Sequence, residues 1–284
     1  NFNTSKVTSM DAMFYECSEL TTLDVRNFDT SKVTNMANMF CLCEKVKEIE
    51  LSSLFNTANV TRMDAMFARC YQLENVDISG FDTSKVTDMG VMFYLCHELK
   101  VIDVSEFNTT NVTNMRGMFT ECWKVETLDV SNFNTAKVTD MAYMFHTCRK
   151  VSVIDVSKFV TSKVTDMECM FMGCAEITEL NVSGFTTSNV TLFAHMFNGC
   201  ENVKILDVSK FNTAKATTMG WMFSECYSLE SLNVSSFSTT NVTNMEAMFE
   251  MCNGLKSLDL SNFNTSKVTS MDRMFIDSVN LESI

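Results

Sequence analysis

The chain has 284 residues, of which 46% are apolar, and its formal net charge is −13. An acidic chain of this kind lacks the basic stripe that nucleic-acid binding requires, so we expect no nucleic-acid partner. Its apolar runs are only a few residues long, and we therefore expect no membrane insertion. The apolar residues are numerous enough for a continuous core.

A phenylalanine marks a sequence period of 26 residues that runs from one end of the chain to the other. The phenylalanines of this period are Phe2, Phe28, Phe55, Phe81, Phe107, Phe133, Phe159, Phe185, Phe211, Phe237 and Phe263. Only one interval differs, by a single residue inserted near Leu54. A fixed period of this length predicts a solenoid of about eleven stacked coils. We expect residues 1–284 to form a single repeat array and, since no capping repeat or anchor is visible, a fragment of a longer chain.

Each repeat predicts the same elements in the same order. Leu23 and Val25 alternate with polar residues, which predicts a short strand with one buried face. The small polar residues at 27–31 favour a turn, and a short strand or turn follows at 32–34. The next apolar residues are spaced three, three, one and three apart, which predicts one or two helical turns. These residues are Val33, Met36, Met39, Phe40 and Cys43.

The repeat resembles the 26-residue repeat of BspA-like bacterial surface proteins. The shared phrase is Phe-Asn-Thr-Ser-Lys-Val-Thr-x-Met-x-x-Met-Phe-x-x-Cys-x-x-Leu-x-x-Leu-Asp-Val-Ser, and it recurs along the whole chain. Departures are few, among them Phe193, Ala216 and Ser278. The resemblance implies an α/β solenoid of the leucine-rich-repeat type, right-handed, with short parallel strands plus short helical turns. It also implies a place on the cell surface or outside the cell, a link with adhesion, and no active site.

Ten cysteines fall in one column of the repeat, and they permit three interpretations. Buried free thiols are favoured because the side chains should all point into the core, while disulfides between coils and a metal site remain alternatives. The column contains Cys17, Cys43, Cys70, Cys96, Cys122, Cys148, Cys174, Cys200, Cys226 and Cys252. Cys41 and Cys169 lie outside the column, and we expect them to be more exposed.

We call the predicted strand segment of each repeat, such as residues 20–25, the strand phrase. Its outward side chains are the candidate partner-binding surface. An aspartate recurs there, and neighbouring aspartates need Ser or Thr hydroxyls, lysines or weakly bound cations to offset their repulsion. The variable outward positions include apolar residues that either form small apolar patches or pack on neighbouring coils. The candidate residues are Asp77, Asp103, Asp129, Asp155, Asp207, Val101, Val153 and Ile205. A protein or a glycan is the expected partner.

Other polar columns have simpler interpretations. A lysine column is expected to be a solvated rim, and an unbroken threonine column is expected to form hydrogen bonds between coils. Asn-x-Ser/Thr sequons arise from the repeat itself and are candidate N-glycosylation sites. These are Asn3, Asn59, Asn108, Asn111, Asn181, Asn189, Asn233, Asn241 and Asn264. His97, His146 and His195 fall at three different phases of the repeat, so they predict neither a column nor a metal site.

These patterns favour a non-catalytic recognition or adhesion module, extracellular or at the cell surface. No phosphate loop, zinc pattern or catalytic triad is present in the sequence, so we predict no cofactor and no enzymatic activity. The alternative is a structural subunit of an extracellular filament or sheath, in which the ends of separate solenoids stack head to tail.

Overall fold

The computed structural model describes residues 2–284, which form a stack of coils with one short strand at the same place in successive turns. The strands are β1 (Thr22–Asp24), β2 (Glu48–Glu50) and β3 (Asn75–Val76), and they form one parallel sheet in the order β1-β2-β3. Thr22 lies opposite Glu48, and Glu48 lies opposite Asn75. The predicted short parallel strands are thus confirmed.

Beyond β3 the strand column continues as single parallel bridges between pairs of coils. These bridges join Val101 to Thr127, Val153 to Glu179, Ile205 to Ser231 and Ser257 to Ser283. Because these bridges are sparse, the strand side supplies only part of the backbone pairing between coils. We call the outward residues of this side, at positions equivalent to Thr22 and Asp24, the strand face.

A second parallel ladder links every coil to the next along the described chain. Its bridges begin at Ser9 and end at Ser270. The unbroken threonine column lies beside it, where Thr34 donates its hydroxyl to the backbone oxygen of Thr8 at 3.2 Å and Thr61 to that of Thr34 at 3.0 Å. The expectation that these threonines form hydrogen bonds between coils is therefore confirmed.

The predicted helical turns are wrong, because the segment after the second ladder contains no helix. The N–H groups of Met36, Asn38 and Phe40 donate to backbone oxygens of the following coil, at 2.9–3.0 Å. The intervening Met39 and Cys41 instead donate to the residue three positions earlier. Alternate donors are thus committed to the neighbouring coil, and the i→i−4 bonds of an α-helix cannot form. Tight turns with a three-residue repeat give the same apolar spacing as a helix.

Two residues of each such segment, the third and the seventh, have left-handed backbone angles, and we call them the first and second left-handed columns. In the first column φ is 55° at Asn38 and 61° at Tyr143. In the second column φ is 62° at Leu42 and 57° at Thr147. Of the left-handed residues only Gly117, Gly173 and Gly199 are glycines. We call the outward surface of these segments the turn face. Its segments are 10–18, 36–44, 63–71, 89–97, 115–123, 141–149, 167–175, 193–201, 219–227, 245–253 and 271–279.

The core consists of side-chain columns that run along the solenoid axis. Phe93, Phe119 and Phe145 are fully buried, and their rings lie nearly parallel with centroids 6.0 and 5.9 Å apart. The methionine and column-cysteine side chains pack beside them. Continuous columns of this kind make each coil depend on its neighbours for burial. No helix in residues 2–284 has the length and apolar character needed to cross a membrane.

One buried polar column clips the coils together at the corner that follows each strand phrase. Thr109 is buried, and its hydroxyl donates to the backbone oxygen of Asn134 at 3.1 Å while accepting the N–H of Asn134 at 2.7 Å. Thr135 makes the same pair of bonds to Val160. A buried hydroxyl satisfied in both directions avoids a desolvation cost of about 1–3 kcal/mol.

The extra residue of the sequence is accommodated at the same corner, in the second coil. The pairing partners Glu48 and Asn75 are separated by one residue more than Thr22 and Glu48, yet both pairs are in register. The second ladder is likewise continuous from Asn35 to Arg62. Leu54 is exposed, so the additional residue bulges outward and leaves the core columns aligned.

Candidate recognition surfaces

The strand face presents isolated apolar side chains among polar ones. Val101, Val153 and Ile205 are 60%, 61% and 71% exposed, which is more than packing against a neighbouring coil would leave. They occupy the repeat position that Thr127 and Ser231 fill in adjacent coils. These three side chains are therefore available to a partner, as the strand-face hypothesis requires.

Shallow clefts lie between coils on the strand face. One of about 490 Å³ is lined by Ile205 and Asp207, and another of about 300 Å³ by Asp129, Val153 and Asp155. The structure thus brings five of the candidate residues to the walls of two clefts. A third, of about 280 Å³, includes Asp77 in its lining.

The strand-face aspartates close the corner that follows them. Asp77 accepts the N–H of Ser79 at 3.0 Å and its hydroxyl at 2.7 Å, and Asp103 accepts the same two groups of Ser105 at 3.2 and 2.7 Å. Asn181 plays this part in another coil, accepting the N–H of Ser183. The predicted hydroxyl partners are confirmed.

Hydrogen bonding also sets the ionisation of these carboxyls. Bonds from the serine two residues later lower the pKa of Asp77, Asp129, Asp155, Asp207 and Asp259. The Arg26 guanidinium and N–H lower the pKa of Asp24 to about 2. The carboxylates are therefore ionised at neutral pH. Within residues 2–284, no three His, Cys, Asp or Glu side chains are grouped to hold a metal ion.

The cysteine column consists of free thiols, and all but Cys17 are buried. The thiol of Cys148 donates to the backbone oxygen of Phe119 at 3.2 Å, and that of Cys174 to Phe145 at 3.1 Å. Burial raises the pKa of Cys174 to about 12, so its thiol is protonated at neutral pH. The favoured interpretation, buried free thiols, is confirmed.

The expectation that Cys41 and Cys169 are more exposed is wrong. Both side chains are buried. Cys41 packs against Ala65 and Ala68, in a small apolar cluster just outside the main core. Burial raises the pKa of both thiols, to about 12 for Cys169. The turn face buries positions outside the repeating column, and this burial is not apparent from the columns taken one at a time.

The turn face carries all three histidines, both tryptophans and all five tyrosines of the sequence. His97 stacks on Trp123 with ring centroids 3.7 Å apart, and His195 stacks on Trp221 at 4.7 Å. The Arg149 guanidinium lies 5.2 Å from the centre of the Trp123 ring. This surface is not predicted by the sequence periodicity. The available signal was that the three histidine phases, though different, all fall within one nine-residue segment.

A cleft of about 330 Å³ opens on the turn face between the fourth and sixth coils, that is, between segments 89–97 and 141–149. Arg116 lines it and is paired with Asp166 at 3.0 Å and Asp140 at 3.4 Å. Thr120 also lines it and donates its hydroxyl to the backbone oxygen of Tyr143 at 2.6 Å. The other walls are formed by Val91, Tyr94, Gly117, Glu121, Tyr143 and His146.

The sequon asparagines divide into two structural groups. In Asn59 both ends of the side-chain amide are engaged, since Nδ2 donates to the backbone oxygen of Ser31 at 2.9 Å and Oδ1 accepts Lys85 at 2.7 Å. Three more asparagines make the same two contacts; they are Asn111, Asn189 and Asn241. The others use only Oδ1, toward the residue two positions later; they are Asn3, Asn108, Asn181, Asn233 and Asn264.

Comparison with protein families gives a match to DUF285, described as a Mycoplasma protein of unknown function. The matched segments are residues 1–102, 92–206 and 170–283, which together span nearly the whole chain. Among proteins with curated descriptions, none matches this chain.

Comparison with solved structures gives leucine-rich repeat proteins at low identity. A leucine-rich repeat protein of Bacteroides ovatus is 18% identical, with 89% of this chain and 70% of that chain covered and a TM-score of 0.43. A leucine rich cell surface protein of Faecalibacterium prausnitzii is 15% identical, with 97% and 76% covered and a TM-score of 0.45. An internalin of Listeria monocytogenes is 11% identical, with 94% and 86% covered and a TM-score of 0.31.

Proposed function

The chain belongs to the DUF285 family and is a BspA-like leucine-rich repeat protein, and from this premise we propose that it is a non-catalytic recognition or adhesion module exposed at the cell surface or secreted. Its partner is a protein or a glycan on another cell or in the surrounding matrix. Repeat solenoids of this type commonly act as interaction modules, because stacked coils present an extended surface. The buried, protonated thiols and hydrogen-bonded carboxylates support a non-catalytic role.

The observation that supports the strand face is the exposure of Val101, Val153 and Ile205 beside clefts with acidic walls. Exposed apolar side chains contribute about 25 cal/mol per Å² when a partner covers them. The neighbouring aspartates supply charge complementarity toward a basic partner patch. Because these aspartates also hold the coil corners, the apolar residues are the cleaner target for mutation.

The test is binding of the fluorescently labelled protein to cultured cells, followed by flow cytometry. The triple variant Val101→Thr, Val153→Thr, Ile205→Thr should bind at least about tenfold more weakly, because three exposed apolar contacts are lost. It should still fold, since threonine is native to this repeat position at Thr127. Val160→Thr is the matched control, because Val160 is exposed but lies after Phe159, away from the strand face. Unchanged binding by the triple variant contradicts the strand-face proposal.

The second candidate is an extracellular filament or sheath subunit. Its support is the repetition of the same core columns and inter-coil bridges from coil to coil, which would let a coil of one copy stack on a coil of another. Light scattering of the native full-length protein across a dilution series tests it. Large particles that persist on dilution support the filament, and a constant monomer mass contradicts it.

N-glycosylation, if the source cell provides it, should follow the two structural groups of sequons. We propose occupancy at Asn3, Asn108, Asn181, Asn233 and Asn264, whose Nδ2 makes no hydrogen bond within residues 2–284. A glycan on the Nδ2 of Asn59 instead displaces its bond to the neighbouring coil. Glycopeptide mass spectrometry of protein secreted from eukaryotic cells measures this. Higher occupancy at the group containing Asn59 contradicts the proposal.

A further inference from the structure

The turn face concentrates the residue types that bind ligands, in columns where the backbone does not dictate the side chain. Left-handed positions of the first column hold alanine, asparagine, valine, tyrosine, histidine and tryptophan in different coils. The side chains of this face therefore vary from coil to coil, while the core columns repeat. Of the clefts described for residues 2–284, the 330 Å³ cleft between the fourth and sixth coils is the one that lies on the turn face beside aromatic rings.

The cleft exists because the fifth coil has small side chains between larger ones. Thr120 occupies the same repeat position as Tyr94 one coil before it and His146 one coil after it. Gly117 likewise lies between Val91 and Tyr143. The gap therefore extends over two coil steps, which measure 6.0 and 5.9 Å between ring centroids in the core. Van der Waals contact needs about 3.5–4 Å on each side of a ring, or about 7–8 Å in all, so this gap admits one ring packed on one of its walls.

Gly117 is not required by the backbone. Its φ is 58°, but alanine has the same conformation in this column at Ala12, Ala65 and Ala247, with φ of 55°, 54° and 50°. A Cβ at residue 117 lies 3.1 Å from Val91 and 3.3 Å from the hydroxyl of Thr120, both of which line the cleft. The absence of a side chain at Gly117 thus serves the space of the cleft rather than the turn.

The polar groups of the cleft suit a neutral ligand rich in hydroxyl groups. Arg116 is already paired with Asp140 and Asp166, so the cleft offers no free cation for an anionic group. Burial lowers the pKa of His146, and the neutral imidazole has one donor and one acceptor nitrogen. Its Nδ1 is buried and makes no hydrogen bond within residues 2–284, so Nε2 is the nitrogen open to a ligand. The Glu121 carboxylate adds a strong acceptor in the same lining.

We propose that this cleft binds a neutral pyranose ring of a glycan. The apolar C–H face of the sugar packs on the part of the Tyr143 ring that is left open by the Arg116 guanidinium, which lies over the ring 5.0 Å from its centre. The sugar hydroxyls bond to Glu121 and His146. An aromatic side chain of a peptide fills the same space but offers no hydrogen bond to His146 or to the Glu121 carboxylate, whose existing contact is His97 Nε2 at 3.5 Å. The proposal concerns a different surface from the strand face and does not depend on it.

The test begins with the labelled full chain on a printed array of neutral and anionic glycans. The neutral glycan that binds most strongly is then titrated as a free oligosaccharide by isothermal calorimetry. Tyr143→Ala and Gly117→Ala should each weaken this binding at least about tenfold, the first by removing the stacking ring and the second by filling the cleft. Trp221→Ala is the matched control, because Trp221 occupies the repeat position of Tyr143 outside the cleft, and it should leave the affinity unchanged.

Four results overturn the proposal: binding to no neutral glycan, binding to anionic glycans only, equal affinity of the two cleft variants and the native protein, or equal loss in Trp221→Ala. N-acetyltyrosinamide, titrated in parallel, reports an aromatic peptide side chain as the occupant if it binds where no sugar does. If Tyr143→Ala fails to fold, Gly117→Ala decides, since alanine is native to this position elsewhere. Because the variants leave the strand face intact, cell binding through that face can succeed or fail separately.

Discussion

At the residue scale, the column cysteines act as hydrogen-bond donors as well as core side chains. The thiol of Cys96 donates to the backbone oxygen of Phe67 at 3.1 Å, and this contact recurs from Cys43 to Cys252. In the last coil Ser278 takes over, with its hydroxyl 2.6 Å from the oxygen of Phe249. The position therefore selects a small side chain with a donor, which explains a column of thiols without redox or metal chemistry.

The burial of the thiols predicts their reactivity with a disulfide reagent such as Ellman's. In the native protein only Cys17 should react readily, because it is the one cysteine that is not buried. In denaturant all 12 cysteines should react. Absorbance at pH 8 counts the thiols in both states, and Cys17→Ser should remove the fast reaction. A count below 12 in denaturant means that disulfides form, and rapid reaction of several native thiols contradicts the buried column.

At the element scale, the turn segment stores backbone strain that the neighbouring coil holds in place. Thr147 is a β-branched residue with φ of 57°, a conformation costly for such side chains. Its N–H is held by the backbone oxygen of Met172 in the next coil. The following coils place Gly173 and Gly199 at the same position. Stacking thus imposes the conformation whatever the side chain, and glycine meets it without strain.

Thr147→Gly should therefore stabilise the protein. Relief of the left-handed strain is worth about 1–2 kcal/mol, and part is offset by the greater freedom of glycine in the unfolded chain. We expect a net gain of about 0.5–1 kcal/mol in the free energy of unfolding, measured by urea denaturation. Thr147→Ala is the control and should gain less, since it keeps the Cβ. Destabilisation by the glycine variant indicates that the threonine side chain contributes a contact that outweighs the strain.

The corner after each strand phrase predicts how stability depends on pH. Its carboxyls have pKa values below their unfolded ones, down to about 2 for Asp24, so they bind protons less readily in the folded state. Their contribution is fully present above pH 4 and is lost as the pH falls through the folded pKa. The melting temperature should therefore decrease steadily from pH 4 toward pH 2, as followed by circular dichroism.

The matched control for this pH dependence comes from the repeat itself. Asn181 and Asn233 form the same corner as the aspartates, through the same bond to the serine two residues later. Asp129→Asn and Asp155→Asn together should keep the corner but remove two titrating groups. The double variant should lose less stability between pH 4 and pH 2 than the native protein. An identical slope shows that other carboxyls dominate acid unfolding.

At the scale of the whole molecule, stability should vary along the axis. Central coils are covered on both sides, and Met115 and Met141 are fully buried, whereas Met13 and Met271 in the terminal coils are exposed. In a linear array each coil gains stability from its neighbours, so in a polypeptide of residues 1–284 alone the coils with one neighbour open more often. Hydrogen exchange followed by mass spectrometry should show the slowest exchange near residues 110–170 and the fastest in the first and last coils. Uniform exchange along the chain contradicts this and indicates all-or-none unfolding.

The sequence predicted the core well because its signal is periodic. Leu23, Val33 and Phe40 are buried as expected, and the same columns recur in the other coils. The turn segment was misread because turns with bonds to the third residue back give apolar spacing like that of a helix. Glycine, the usual signal for left-handed angles, was missing at positions such as Asn38 and Leu42, so nothing local marked the turns.

The candidate surfaces were predicted unevenly for a related reason. The strand face follows from alternation, and Val101 and Ile205 are exposed as expected. The aromatic turn face was not predicted, because Tyr94 and His146 share a column that Thr120 interrupts, Tyr143 belongs to another column, and the three approach each other only when coils stack. Each column viewed alone is irregular, and sequence periodicity carries no information about which irregular side chains become neighbours.

The bulge at Leu54 shows that this solenoid tolerates an insertion at the corner after the strand. One added residue is absorbed at the corner while both parallel ladders stay in register on either side of it. Length changes at that corner are thus uncoupled from assembly of the stack, so a lineage can acquire insertions there without redesigning the core. A protein engineer can use the same corner in other coils as a splice point for a grafted loop.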